Sequence, residues 1–208
     1  MKNYLAIDTS NEYLTVVAVK DGVRTVTALS DCAMRHSVML AGAVDETLER
    51  AGLTLSECDF FAACVGAGSF TGIRIGVAAI KGFALAAKKP TLPVTSFELA
   101  AYNAVEGENP LVLVDALHGY YYACGFNGRK KMTYAPAYLS AEEVLTVAKE
   151  GGYTLYALTE LPLDGVRTVS PAEGLARAVE TLSKDEKNFG ALTALYIRKS
   201  QAEENLGK

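Results

Sequence analysis

The chain has 208 residues, half of them hydrophobic and 21% charged, which is enough for one or two compact domains and excludes the composition of a disordered polypeptide. Its 20 Lys and Arg against 24 Asp and Glu give a formal net charge of −4. A protein that held RNA alone would present a cationic excess to displace phosphate counterions, so any nucleic-acid role is expected to be shared with a partner.

The N-terminal apolar residues meet Asp8 before a signal-peptide core could form, and the longest apolar run, residues 73–87, is cut by Arg74 and Lys81 and reads as too short and too charged for a bilayer. Cys32, Cys58, Cys64 and Cys124 contain no C-x-x-C pair and read as buried thiols of a reducing compartment, so a cytoplasmic location is expected.

In chain order, strands are predicted over 4–8, 13–20 and 23–29, the last two joined by the hairpin turn Asp21-Gly22. A helix over 35–51 follows, with Leu40, Val44, Leu48 and Ala51 as its apolar stripe and Gly52 at its end. The nearly all-apolar 58–65 reads as a strand covered on both faces. A glycine-rich turn then opens a helix over 71–87, stopped by Pro90, and a further helix spans 96–105. The polar segment 106–110 marks a boundary between domains 1–106 and 107–208.

The second half repeats the order. Strands are predicted over 111–115, 120–126 and 131–138, with Asn127-Gly128 in the place of Asp21-Gly22. A helix over 141–150 starts at a Ser140/Glu143 capping box, a strand covers 153–158, and a helix runs over 171–182 from Pro171. Strand–strand–strand–helix–strand–helix thus occurs twice, and each copy opens on a short strand ending in an acid, Asp8 or Asp115. The reading is an α/β fold of two duplicated units with mixed sheets, resembling the actin-like ATPase (ASKHA) superfamily.

The segment 66–76, Gly-Ala-Gly-Ser-Phe-Thr-Gly-Ile-Arg-Ile-Gly, turns sharply after a strand and offers Ser69 or Thr71 as a helix cap. Free N–H groups there suit a weakly held anion. Gly72, Gly76, Ala79 and Gly82 leave little side chain along the helix, a surface that another helix can approach closely. The segment closely resembles the G-P-G-S-F-T-G-L-R-I-G signature of the TsaB (YeaZ) family. Ala6 to Ser10, Arg35-His36-Ser37, Asp115-Ala116 with Gly119, and Tyr196-Ile197-Arg198 resemble further segments of it. Ala67 stands where the family has proline, Leu117 where it has arginine and Tyr120 where it has glutamate.

The resemblance implies a non-catalytic scaffold or activator in making N6-threonylcarbamoyladenosine in tRNA. It implies pairing with a TsaD-like paralogue, joined by a TsaE-like ATPase, with tRNA reached through the complex. The partner-facing helices would be 35–51 and 71–87, with Val38, Met39, Ala43, Gly72, Gly76, Ala79 and Gly82 at the interface; self-association through the same helices stays open. Asp8, Ser69, Thr71 and Asp115 are the candidates for an anion or nucleotide contact. No cofactor of the chain's own is expected, with ATP or ADP and Mg at a shared interface as the remaining option.

Other chemistries have weaker support. His36 is followed one turn later by Leu40 rather than a second histidine, and His118 lies in the other half, so no metal site is expected. Gly72-Ile73-Arg74 stands where a Walker loop needs G-K-[ST]. Ser69, Asp115 and His118 occur in hydrolase order, but Ala67 and Thr71 occupy the positions where a nucleophile elbow needs glycine. A sugar-kinase-like phosphotransferase and a glycoprotease-like hydrolase are the alternatives. Arg129-Lys130-Lys131 reads as a solvated hairpin tip, and Tyr120, Tyr121 and Tyr122 as sheet packing with Tyr121 on the opposite face.

Overall fold

The computed structural model describes residues 2–198. The first half forms β1 (Tyr4–Asp8), β2 (Leu14–Lys20), β3 (Val23–Leu29), α1 (His36–Ala51), β4 (Phe60–Cys64), α2 (Phe70–Ala87), β5 (Thr91–Val94) and α3 (Ser96–Asn103). The second half forms β6 (Pro110–Asp115), β7 (Tyr120–Phe126), β8 (Met132–Ser140), α4 (Ala141–Gly151), β9 (Thr154–Ala157), β10 (Arg167–Thr168) and α5 (Pro171–Leu182). Two elements escape the sequence pattern: β5 carries Pro93, and β10 is only two residues long.

The described strands make two sheets, ordered β3-β2-β1-β4-β5 and β8-β7-β6-β9-β10. In both, the first three strands form an antiparallel meander and the last two add in parallel. The duplication is therefore real at the level of topology. Helix starts follow local chemistry: Thr95, Ser140 and Ser170 accept from the backbone N–H three residues on, and Glu98 and Glu143 reach back to complete capping boxes.

α1 and α2 cover the outer face of the first sheet, burying Leu40, Val44, Ile73, Val77 and Ile80 against Leu5, Ile7, Val16 and Phe61. α4 covers the outer face of the second sheet around Leu111, Leu113 and Tyr121. α3 and α5 lie between the sheets in a shared core with Ala6, Val17, Phe60, Val112, Cys124 and Tyr156. α5, from the second half, packs on β1 and β2, while α3, from the first, packs on β6 and β7. Nor does 107–208 stay on its own sheet. Gly190 N donates to Thr91 O at 2.9 Å, Leu195 N to Val65 O at 2.7 Å, and Leu192 is buried beside α1 and α2. The break at 106–110 divides the sheets, not the packing.

α2 is long and apolar enough, by length and composition alone, to cross a membrane. Its stripe Ile73, Val77, Ile80 and Ala84 is nonetheless buried against the first sheet.

Three expected interface residues point the other way. Gly72 and Gly76 are buried under the end of β1: a Cβ on Gly72 would collide with Thr9 O, and one on Gly76 would stand 2.5 Å from Thr9 Oγ1. Ala43 is buried in the α1 core stripe. These small residues serve packing within the chain. Val38 and Gly82 are exposed, and Met39 and Ala79 are half-buried.

Gly72→Ala is accordingly expected to lose about 1–3 kcal/mol of unfolding free energy through overpacking. Gly82→Ala, whose added Cβ would meet nothing within 4 Å, is expected to gain up to about 1 kcal/mol from helix propensity. Urea unfolding of both variants checks this, and equal midpoints would remove Thr9 as the seat of α2.

Candidate functional site

The carboxyl ends of β1, β4 and β5 meet at the turn that starts α2. Ser69 caps that helix: its hydroxyl accepts from Gly72 N at 3.2 Å. Ser69 N donates to Ser10 O at 2.7 Å, and Ile73 N to Ser69 O at 2.9 Å. Gly68, at φ +145°, passes so close to Ser10 O that no side chain fits. The amides expected to hold an anion are thus partly engaged within the chain, at Ser69 and Gly72. Thr71 is exposed at the helix start.

Asp8 is buried at the end of β1. Ser10 N donates to its Oδ1 at 2.8 Å and Asn11 Nδ2 to its Oδ2 at 3.2 Å. Around it, Ser10 Oγ and Ser96 Oγ are 3.0 Å apart, Ser96 Oγ donates to Ala67 O at 2.5 Å, and Cys64 Sγ lies 3.3 Å from Ser96 Oγ. Burial pushes the Cys64 thiol up, far from a thiolate. Asp115, the matching acid, is exposed and accepts from Leu117 N at 2.8 Å. The two acids therefore sit in unlike surroundings, one enclosed and one in a solvated turn. Between the lobes, Ser10, Asn11, Ala67 and Ser96 face Leu113, Val114, Leu158 and Thr159 across a space of about 20 Å³. Ligand pockets typically measure about 300–1,000 Å³.

His36 is buried at the start of α1 with Nε2 3.0 Å from Tyr13 O, not a surface cap. His118 is exposed in the turn after Asp115, where Leu117, His118 and Gly119 all have positive φ. No group of three or more His, Cys, Asp or Glu among the described residues is placed to hold a metal. Lys130 departs from the solvated tip expected of 129–131. Its Nζ is buried without a hydrogen-bond partner among the described residues, with Glu108 and Glu106 nearest in charge. Tyr121 is buried on the α4 side, while Tyr120 stacks on Tyr138 with centroids 4.7 Å apart.

Sequence reasoning missed a cluster that links the glycine turn to the C-terminal segment. The Arg74 guanidinium lies 3.7 Å from the Phe70 ring centroid and its Nε donates to Tyr196 Oη at 3.0 Å, with Phe70 and Tyr196 4.9 Å apart. Two residues on, Arg198 donates to Tyr138 Oη at 2.7 Å. Tyr196 thus holds the first half and Arg198 the second. The sequence signals were Phe70, between two cap-forming residues, and the Tyr196-Ile197-Arg198 segment, and no local pattern joins the two.

Burial is the chief influence on Asp8 and raises its carboxyl pKa above the ordinary 3.8, against the opposing effect of Ser10 and His36. The folded chain therefore holds this proton more tightly than the unfolded one, and stability falls as pH rises through 3.8 toward the raised value. Asp8→Asn, which keeps an acceptor for Ser10 N, is expected to gain on the wild type in urea midpoint at pH 7. That gain should disappear near pH 3, below both values. A gain that does not change with pH would show that Asp8 is not the titrating group.

Comparison with known proteins gives this geometry a family. A family model described as tRNA N6-adenosine threonylcarbamoyltransferase (TsaD) matches residues 30–205. The tRNA threonylcarbamoyladenosine biosynthesis protein TsaB of Haemophilus influenzae is 34% identical over 116 residues, 54% of this chain and 48% of that protein. TsaB of Escherichia coli is 36% identical over 101 residues, 48% of this chain and 43% of that protein. The chain thus spans about half the length of these relatives. The structure of YeaZ from Pseudomonas aeruginosa superposes with a TM-score of 0.80 over 94% of this chain and 100% of that one, at 23% identity, which establishes a shared fold. With the glycine-rich turn, the doubled five-strand topology and a match over most of its length, the chain belongs to the threonylcarbamoyltransferase family described by that model and, within it, to the TsaB (YeaZ) branch.

Proposed function

We propose that this chain is a cytoplasmic, non-catalytic scaffold or activator in the synthesis of N6-threonylcarbamoyladenosine in tRNA. In this reading it pairs with a TsaD-like paralogue through the outer faces of α1 and α2, a TsaE-like ATPase joins the pair, and tRNA is reached through the complex. The observation that carries the reading is a contrast between two surfaces. The space between the lobes, where actin-like enzymes handle nucleotide, has about 20 Å³. The outer helices instead present large apolar side chains to solvent, Val38 77% and Leu85 82% exposed, and Met34 in the turn before α1 is 94% exposed. Exposed apolar side chains on that layer suit a protein partner.

A groove of about 430 Å³ beside α2 adds shape to that surface. Arg74 and Lys81 stand on its rim, with Val77, Ala78 and Leu192 among its apolar lining. The partner's complementary face would be apolar at its centre and acidic at its edge. The TsaB names of the relatives and the TsaD match agree with a cousin relationship between the two halves of such a pair.

The test uses Gly82→Arg and Val38→Glu. Both positions are exposed, and Gly82 has open space around it, so the fold should tolerate either change within about 1 kcal/mol. Each is expected to weaken co-elution with the TsaD-like protein by at least about tenfold, from a charge buried at the contact. Wild-type co-elution by both variants, with unchanged circular dichroism, would move the partner surface elsewhere.

A further inference from the structure

The helical layer outside the first sheet carries a division of charge. β3, β4 and β5 run in the direction of β1. α1 returns the chain from β3 to β4 and α2 from β4 to β5, so the two helices lie side by side and point the same way. On α1, Val38, Gly42, Asp45 and Glu49 are exposed, and on α2, Arg74, Ala78, Lys81 and Leu85 are exposed. Both sets follow the same spacing of four, three and four residues. At about 100° per residue, each forms a stripe about 60° wide.

The stripes are alike in shape. Each has a small residue in second place, Gly42 or Ala78, where another helix can come close. Each has one large apolar residue, Val38 at the start of α1 and Leu85 near the end of α2.

They differ in charge. Phe70–Ala87 contains no Asp or Glu, and its cations, Arg74 and Lys81, both stand in the stripe. His36–Ala51 contains Asp45, Glu46 and Glu49 against Arg50, which pairs with Glu46 at 3.2 Å. Asp45, Glu49, Arg74 and Lys81 have no ion pair among the described residues. Arg74 is also held ready: its guanidinium lies 3.7 Å from the Phe70 ring centroid and Nε is bonded to Tyr196 Oη, with no acid among the residues lining the adjoining groove. A guanidinium fixed in this way loses little freedom on meeting a carboxylate.

We infer that this division of charge selects the partner and its orientation. The partner lays one helix, bearing acids seven residues apart, over Arg74 and Lys81. It lays a second helix, bearing Lys or Arg, over Asp45 and Glu49, and the close crossings fall at Gly42 and Ala78. Turned half a revolution in the plane of the layer, the same partner would set acid on acid and base on base, which is unfavourable at both helices. The inference rests on the proposed pairing through α1 and α2 and adds the chemistry by which that surface discriminates.

Affinity of the full chain for the TsaD-like protein, measured at low and at high salt, tests it. Lys81→Glu and Asp45→Lys, both at exposed positions, are each expected to weaken binding at least about tenfold. Lys81→Met keeps an apolar stem and removes the charge, so it is expected to weaken binding less and to reduce the loss of affinity on adding salt. Wild-type affinity in either reversal, while Gly82→Arg still blocks pairing, would overturn the division of charge and leave the shared surface standing. Wild-type affinity in all three would overturn both. Reversals that abolish only self-association of the chain would assign the stripes to a second copy and equally overturn the inference.

Discussion

Thr9 grips α2 from two directions. Its hydroxyl donates to Gly72 O at 2.7 Å, and its carbonyl occupies the space where a Gly72 side chain would begin. One turn later Gly76 leaves room for the same hydroxyl. This close seat sets the height and rotation of α2 on the first sheet. With the helix so held, Ile73, Val77 and Ile80 meet Ile7 and Phe61, and Ala78, Gly82 and Leu85 face outward. Both the core of the first lobe and its outer surface follow from a contact that tolerates no Cβ.

The same seat explains why a glycine-rich turn before a helix need not be a phosphate loop. A phosphate loop leaves successive amides free and aimed at one point. Here Ser69 N is bonded to Ser10 O and Gly72 N to the Ser69 hydroxyl, while Gly68 gives up its side chain to Ser10 O. The glycines bring backbone against backbone. What the turn exposes is Phe70, clamped by Arg74 and Tyr196.

Much of this was legible in the sequence. The spans of β3, β7 and α5 follow from alternation, hairpin turns and Pro171, and the duplicated order of elements led to the two-lobed fold. The glycine motif, with four shorter segments, led to the family. The faces of α2 are harder to assign, because the glycine spacing alone reads as one small-residue surface. At about 100° per residue, Gly72 and Gly76 nearly eclipse, whereas Gly82 lies about 120° round from Gly76. Helical geometry therefore separates a packing pair from an exposed residue, and only the presence of Thr9 says which side is inward. Contacts made by residues far apart in sequence had no local signal at all. α5 lying on β1 and Tyr196 reaching Arg74 are of this kind.

The duplication is also incomplete, and the gap bears on how such a fold is used. β1–β3, α1 and β4 match β6–β8, α4 and β9, but between β9 and β10 the chain runs through 158–166 without a helix. Leu161, Leu163 and Val166 from that stretch patch the outer face of the second sheet in place of a counterpart to α2. No second glycine seat is needed there, and none is present among the described residues. The pseudo-twofold framework thus carries a paired-helix layer on one lobe only. A partner that recognises two adjacent helices, one bearing Val38 and the other Leu85, finds a single place to dock. In the proposed pair, the loss of symmetry would permit one orientation where two equivalent lobes would permit two.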